Sequence, residues 1–391
     1  MVALCKKTIS LLLAGVTCFW MLAFPGFIQA YAEGEAAAGE PQVSAHAAVL
    51  INADNGQILF GKNEEEQHSM ASTTKIMTAL IALEKASTDD KVVTITDQMV
   101  RVEGSSMGLM PGDKLTLKSL AAGMLIVSGN DAANSAAIAV AGSAEDFAVL
   151  MNQRAQELGM EHTHFVTPSG LDDEQHYSTA HDMAKLAMAA MKNPDFANIV
   201  GQKAMNIDYI HPDQTRRYTN HNKLLSMYED CTGVKTGFTK KSGRCLVSAA
   251  ERDGVRLIAV TLNASDDWND HQAMLNYGFS QLEQMTVDDS SYRVSVPVVG
   301  GTVPTLSVMG EAGDPVVVPR GKAAQVERVV ELPRFLYAPV AAGQTVGRVT
   351  YRLNGTTLIQ TDLIAGEGVD CPVVEKTLFQ KIADVIKHLF L

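Results

Sequence analysis

The stretch His68-Ser-Met-Ala-Ser-Thr-Thr-Lys-Ile-Met-Thr-Ala-Leu80 places a serine and a lysine together at the start of an apolar run. The run predicts a helix over 72–82, and on a helix Ser72 and Lys75 share a face. A serine hydroxyl is a weak nucleophile at neutral pH, and an amine held beside it can accept its proton. Because four-residue patterns arise by chance, the Ser-x-x-Lys tetrad needs support from the rest of the chain.

Composition limits the classes of protein to be considered. The chain has 391 residues, of which 46% are hydrophobic and 19% charged, values typical of a globular protein of two or three domains. The formal net charge of −12 argues against nucleic-acid binding, which normally requires a basic face. No Cys/His spacing resembles a zinc site, and we expect neither a metal nor a cofactor.

The N-terminus predicts export. Lys6 and Lys7 precede a mostly apolar segment, and Ala30-Tyr31-Ala32 supplies a small-x-small cleavage signature. We predict a signal peptide over 1–32, with a retained membrane anchor as the alternative. The small and polar residues 33–45 are then a linker.

The cysteines and histidines carry no further predicted role. An odd number of cysteines remains after signal cleavage, and we favour free thiols over a Cys231–Cys245 bridge: Cys231, Cys245 and Cys371. Four histidines cluster loosely without helical i/i+4 pairing, so we predict solvated surface positions for His162, His164, His176 and His181.

Residues 46–285 predict an α+β domain. A hairpin turns at Asp54-Asn55-Gly56. A long insert has a helical pattern from 118 to about 191, with one helix ending at Leu158 and the next starting at Thr179. It separates the hairpin from three further strands, 232–238, 244–250 and 257–262, and a helix over about 270–284 closes the unit. This order implies an antiparallel sheet beside a helical subdomain, with a cleft between them.

The remainder of the chain predicts a different architecture. Short Val/Thr/Pro/Gly-rich strands over 286–371 indicate a small all-β domain. Residues 372–391 have one apolar and one lysine-bearing face at helical spacing, too short and too polar to span a bilayer. We predict an amphipathic helix that attaches the protein to a membrane surface, with docking on the β domain as the alternative.

Two further motifs supply parts that an acyl-transfer site needs. Ser128-Gly129-Asn130 follows a predicted helix, where a hydroxyl and an amide could face the cleft. Lys235-Thr236-Gly237 lies in a predicted strand that could line the opposite wall. An exposed strand offers backbone groups to an extended peptide, and the glycine permits close approach.

Three motifs in this order resemble those of the penicillin-binding D-alanyl-D-alanine carboxypeptidases of the low-molecular-mass class, peptidase family S11. The motifs are Ser72-Thr-Thr-Lys75, Ser128-Gly-Asn-Asp-Ala-Ala133 and Gly233-Val-Lys-Thr-Gly-Phe-Thr239, supported by Thr167-Pro-Ser-Gly-Leu-Asp172, Tyr177-Ser-Thr-Ala-His-Asp182 and Asn220-His-Asn222. The resemblance covers roughly 40–282 and continues more weakly to the C-terminus. It implies a serine β-lactamase/transpeptidase-like domain, followed by the β domain as a stalk and the terminal helix as an anchor.

The resemblance also implies a role for each residue. Ser72 would attack the carbonyl between the terminal D-alanines of a peptidoglycan stem pentapeptide, with Lys75 as base. Ser128 and Lys235 would deliver a proton to the leaving D-alanine. Other residues would bind substrate: Asn130 the substrate amide, Thr236 the terminal carboxylate, and the backbone amides of Ser72 and Phe238 the oxyanion. β-Lactams resemble D-Ala-D-Ala, so penicillin should acylate Ser72.

One departure concerns the carboxylate anchor. Family members often carry an arginine near the start of the helix after the third strand, where this chain reads Asp266-Asp-Trp-Asn-Asp-His271. We hypothesise that Arg244, on the strand beside Lys235-Thr-Gly, substitutes for it. Phe238 replaces a His or Tyr of many relatives, but only its backbone is needed.

Two alternatives share these motifs. A class A-like β-lactamase would need a Glu-x-x-Leu-Asn element roughly 35 residues after the middle motif, and that window contains His162-Thr-His-Phe-Val166 instead. A non-catalytic wall-binding protein with the same fold is the alternative of another class. Labelling by penicillin that depends on Ser72 would exclude it.

Overall fold

The computed structural model describes residues 39–373 together with Gln380 and Ile382. The predicted signal peptide, 1–32, lies outside the described residues, as do part of the predicted linker and most of the predicted terminal helix. Within the part of the chain that is described, no helix is long and apolar enough to cross a membrane.

The elements follow one another in the predicted order of strands, helices, strands, a helix and an all-β region. The helices are α1 (Lys75–Ala86), α2 (Asp97–Val100), α3 (Leu117–Ile126), α4 (Asn130–Ala141), α5 (Ala144–Glu157), α6 (Ala180–Met191), α7 (Pro194–Val200), α8 (Leu224–Met227) and α9 (Asp267–Gln281). The strands of the first domain are β1 (Ala47–Asn52), β2 (Ile58–Lys62), β3 (Val92–Thr94), β4 (Lys114–Thr116), β5 (Ala204–Tyr209), β6 (Gln214–Thr219), β7 (Cys231–Thr239), β8 (Gly243–Arg252) and β9 (Val255–Ala264). The later strands are β10 (Leu282–Met285), β11 (Arg293–Val299), β12 (Thr305–Gly310), β13 (Val316–Pro319), β14 (Glu327–Glu331), β15 (Leu336–Tyr337), β16 (Thr345–Leu353) and β17 (Thr356–Ala365).

A five-stranded antiparallel sheet in the order β2-β1-β9-β8-β7 forms the frame of the first domain. Successive residues of a strand face opposite sides of the sheet. In β1, Val49 and Ile51 therefore pack into the core beneath the helical subdomain, whereas Ala48 and Leu50 pack with α9. Strand β7 is an edge strand of this sheet, and it contacts residues 71–74 just before α1. The expected sheet and helical subdomain are thus confirmed.

A loop separates α5 from α6 within the helical insert. Helix α5 ends at Glu157, and Gly159 follows with φ of 68°, a left-handed conformation that stops a helix. Residues 160–179 form an irregular loop, which lies between the predicted end of one helix at Leu158 and the predicted start of the next at Thr179. Sequence patterning missed the β5–β6 hairpin that follows α7.

The C-terminal region is an all-β domain, as predicted. Its described strands form a sheet in the order β14-β16-β17-β12-β11-β15, and β10, directly after α9, pairs with β13. The buried carboxylate of Asp289 accepts hydrogen bonds from Arg328, Tyr351 and Thr361 at 2.8, 3.1 and 2.9 Å, which joins three strands in the interior. A buried carboxylate is stable only with such partners.

Candidate active site

The Ser-x-x-Lys tetrad lies where a short 3₁₀ turn, Ala71–Thr74, leads into α1. In a 3₁₀ turn, residues i and i+3 eclipse each other, so the side chains of Ser72 and Lys75 meet. Lys75 Nζ lies 2.9 Å from Ser72 Oγ. Ala71 has φ of 49°, and a Cβ at Gly170 would lie only 2.1 Å from the Ala71 carbonyl oxygen. Glycine is therefore required where the 160–179 loop supports the nucleophile's turn.

Lys75 is fully buried, and its Nζ also donates to the Ser169 carbonyl oxygen at 2.6 Å. Burial holds the pKa of Lys75 well below its usual value, repulsion from Lys235 lowers it further, and Asp131 opposes the shift. A lysine with a lowered pKa is neutral near physiological pH more often than a solvated one. It can therefore accept the proton of Ser72.

Ser128, in the turn between α3 and α4, meets Lys235 of β7. Lys235 Nζ donates to Ser128 Oγ at 3.1 Å and to the Thr236 carbonyl oxygen at 2.8 Å. Burial lowers the pKa of Lys235 to about 7. Ser128 adopts φ of 60°, which is strained for a residue with a Cβ and places the hydroxyl in the cleft.

Asn130 begins α4 and is almost fully buried. Its Nδ2 donates to the Glu103 carbonyl oxygen at 2.5 Å, whereas its Oδ1 has no hydrogen-bond partner among the described residues. A buried polar atom without a partner is costly. The amide oxygen of Asn130 is therefore an acceptor with unused capacity, although Asn130 is not among the residues that line the cleft.

Strand β7 runs close to the nucleophile. A Cβ at Gly237 would lie 3.1 Å from the backbone N of Ser72, so only glycine allows this approach. Ser72 and Phe238, one on the turn and the other on β7, both line the same cleft. Two backbone N–H groups in this arrangement can stabilise a developing oxyanion. Phe238 is 64% exposed.

A cleft of about 280 Å³ opens at Ser72, Ser128 and Gly237. Its lining includes Ser72, Ser105, Ser128, His221, Thr236, Gly237, Phe238, Arg244, Asp267 and Trp268. Arg244 lies opposite Phe238 in the β7–β8 register and is paired with Asp267 at 2.7 Å. The structure thus places Arg244 in the same cleft as Ser72 and Thr236.

Several residues of this region were not predicted. The Asp131 carboxylate accepts from Ser106 Oγ at 2.6 Å and from the backbone N of Met107 and Leu109 at 2.9 and 3.0 Å, which holds the 101–113 loop against α4. Asp131 follows Ser128-Gly129-Asn130 directly, but the sequence does not show which distant residues its carboxylate contacts. In the sequence, Asp267 and Trp268 stood out only as part of an acidic segment where family members often carry an arginine.

The prediction of a solvated surface histidine is wrong for His176, which is 2% exposed. Its Nδ1 accepts from the backbone N of Val166 at 2.9 Å, so the neutral ring carries its proton on Nε2. Nε2 lies 2.8 Å from Thr74 Oγ1, which donates to the Ala71 carbonyl oxygen. His176 thereby ties the 160–179 loop to the nucleophile's turn. Cys231, Cys245 and Cys371 are free thiols, as predicted.

Comparison with known proteins gives the family. The sequence profile of peptidase S11, D-alanyl-D-alanine carboxypeptidase, matches residues 34–266, and that of the penicillin-binding protein 5 C-terminal domain matches residues 281–370. The chain belongs to the peptidase S11 family of D-alanyl-D-alanine carboxypeptidases.

Relatives within the S11 family match nearly the whole chain. D-alanyl-D-alanine carboxypeptidase DacF of Bacillus subtilis is 32% identical over 374 residues, covering 93% of this chain and 94% of its own. DacC of Escherichia coli is 34% identical over 370 residues, covering 90% and 89%. The crystal structure of penicillin-binding protein 5 from Haemophilus influenzae aligns with a TM-score of 0.64 at 28% identity, covering 84% of this chain and 98% of that one. The expected serine-enzyme fold and C-terminal β domain are thus confirmed.

Proposed function

We propose that this S11 enzyme removes the terminal D-alanine from peptidoglycan stem pentapeptides through an ester on Ser72. The 2.9 Å approach of Lys75 Nζ to Ser72 Oγ, with the Lys75 pKa lowered by burial, carries the proposal. Ser72 Oγ bonds to the penultimate D-alanine carbonyl carbon while its proton passes to Lys75. The oxyanion lies between the backbone N–H groups of Ser72 and Phe238.

Collapse of this intermediate breaks the amide bond. The leaving D-alanine nitrogen takes a proton delivered through Ser128 and Lys235, whose Nζ and Oγ atoms are 3.1 Å apart. Asn130 binds the substrate amide, and Thr236 and Arg244 bind the terminal carboxylate. Water then hydrolyses the ester and regenerates Ser72. β-Lactams acylate the same serine, and slow release of the acyl group distinguishes this enzyme from a β-lactamase.

The direct test is release of D-alanine from a stem pentapeptide by the purified protein and by its Ser72→Ala variant. We expect release by the wild type and none above background by the variant. The matched control is Ser69→Ala, which leaves the Ser72–Lys75 pair in place. Equal release by wild type and Ser72→Ala would contradict the assignment of the nucleophile.

We also propose the domain limits and the location. Residues 46–285 form the catalytic domain and 286–371 the stalk, and the protein is exported by cleavage after residue 32. The amphipathic pattern of 372–391 supports peripheral attachment to the outer face of the cytoplasmic membrane. Phe335 and Tyr337 are exposed by 46% and 69% and pack at 5.3 Å in the stalk, where they add apolar surface suited to a membrane interface.

Flotation with vesicles of anionic phospholipid tests the attachment. We expect residues 33–391 to float with the vesicles and residues 33–371 to remain in solution. Flotation of both proteins would assign binding to the stalk, and flotation of neither would refute attachment through this segment.

A further inference from the structure

The guanidinium of Arg244 is held by one carboxylate. Its Nε and Nη2 donate to Asp267 Oδ1 at 2.9 and 2.7 Å, and the guanidinium carbon lies 5.6 Å from the centre of the Trp268 ring. The side chain of Arg244 is 42% exposed, whereas that of Asp267 is 4% exposed. The pair therefore has a buried acidic partner and a basic partner that reaches into the cleft.

Several N–H groups of the Arg244 guanidinium remain available to a ligand. A guanidinium has five N–H groups in a planar fork, and Asp267 takes one from Nε and one from Nη2. Among the described residues, no other hydrogen bond is made by this guanidinium. The Nη1–Nη2 edge is thus left with parallel donors, the arrangement that binds a carboxylate through two hydrogen bonds.

Asp267 is itself fixed by the helix that it begins. It is the first residue of α9, a 15-residue helix whose N-terminus favours negative charge. Its Oδ1 also accepts from the backbone N of Trp268 at 3.0 Å. Because the carboxylate cannot turn freely, it fixes both the position and the rotation of the guanidinium plane.

We propose that Asp267 is a positioning residue, which fixes Arg244 so that the Nη1–Nη2 edge receives the terminal carboxylate of the substrate. This inference rests on the proposed function and adds the residue that sets its preference for a free C-terminal carboxylate. Arg244 contacts the substrate, and Asp267 acts through Arg244.

If Asp267 positions Arg244, removal of Asp267 should change carboxylate binding in the direction opposite to the one that charge alone predicts. Asp267 is negative and lies beside the anion site, so removal of its charge alone should strengthen attraction of a carboxylate. If Asp267 works by positioning, its removal frees the long Arg244 side chain and weakens capture of the carboxylate. The direction of the change therefore separates positioning from charge.

The test compares two capped tripeptides, one ending in D-Ala-D-Ala and one ending in the corresponding C-terminal amide. The quantity measured is the ratio of kcat/KM for the acid to kcat/KM for the amide. For Asp267→Ala we expect this ratio to fall about tenfold or more, mainly through a higher KM for the acid. Asp267→Asn keeps an acceptor for Arg244 and should fall between wild type and Asp267→Ala, and Arg244→Ala should give the lowest ratio.

Asp230→Ala is the matched control. Asp230 accepts from Nε and Nη2 of Arg252 at 3.0 and 2.8 Å, a similar pair at the other end of β8 and outside the lining of the cleft. We expect comparable thermal destabilisation and an unchanged ratio. Should Asp267→Ala fail to fold, Asp267→Asn against Asp230→Asn makes the same comparison.

The outcomes are distinguishable. An unchanged or higher ratio in the Asp267 variants, together with a low ratio in Arg244→Ala, overturns the positioning role and leaves the proposed function intact. An unchanged ratio in Arg244→Ala overturns the anchor and this inference, while the chemistry at Ser72 stands. Hydrolysis of neither peptide by the wild type overturns the proposed function and this inference with it.

Discussion

Replacing Gly237 by alanine should damage catalysis without unfolding the domain. A Cβ at this position would lie 3.0 Å from the Met70 carbonyl oxygen and 3.1 Å from the backbone N of both Ser72 and Thr73. Ordinary contacts of a Cβ begin at 3.4 Å, so β7 and the turn that carries Ser72 must separate by about 0.3–0.4 Å. All three neighbours are backbone atoms, which cannot move aside as a flexible side chain can.

The separation changes the proposed oxyanion site, because one of its two donors belongs to each of the two segments. Loss of one oxyanion donor typically costs about 3–4 kcal/mol, and we expect this partial displacement to cost about 2 kcal/mol, or about 30-fold in acylation rate. The melting temperature should fall by only a few degrees, since the substitution adds a methyl group at one contact.

The assay is the second-order rate of labelling by a fluorescent penicillin, measured beside thermal unfolding. Gly368→Ala is the control, because its added Cβ would meet its nearest neighbour at 3.5 Å and should be tolerated. Acylation of Gly237→Ala at the wild-type rate would refute the account of the oxyanion site. So would a loss of rate that merely follows the unfolded fraction.

Two further predictions concern titratable groups. Lys235→Gln removes a charge that lowers the pKa of Lys75, so the increase of the acylation rate with pH should move to higher pH. An increase that stays at the same pH or moves to lower pH would contradict the electrostatic effect of Lys235 on Lys75. Burial lowers the pKa of His176 to about 4, so the native state resists its protonation and stability is lost as pH falls from about 6.5 towards 4. The loss attributable to His176 is about 3 kcal/mol, so urea unfolding of His176→Gln should show a weaker pH dependence than wild type over this range, and equal slopes would count against the buried neutral ring.

The parts of the fold that follow from local pattern were predictable. The Asp54-Asn55-Gly56 turn fixed the first hairpin, and the apolar run after Ser72 indicated the helix that carries Lys75. The break between α5 and α6 was predicted, but the course of the loop that joins them was not, because contacts with residues distant in sequence hold it. Ser169, for example, meets Lys75 across 94 residues of sequence.

In the candidate site too, residues in local motifs were predictable and residues defined by distant contacts were not. The motif residues Ser72, Lys75, Ser128 and Lys235 were identifiable because each motif combines residue types that acyl transfer requires. His176 and Asp267 were not, because their importance comes from partners that are distant in sequence: Thr74 across 102 residues and Arg244 across 23. A histidine or an aspartate has no local signature of burial, and only the packed structure shows which groups it supports.

The measurement that tests the central claim most directly is the site of penicillin attachment. Intact-protein mass spectrometry after reaction with a penicillin should show one adduct per chain, and peptide mapping should place it on Ser72. Ser72→Ala should carry no adduct. An adduct on Ser128 or on any other residue, or an adduct that persists in Ser72→Ala, would contradict the assignment of Ser72 and Lys75 as nucleophile and base.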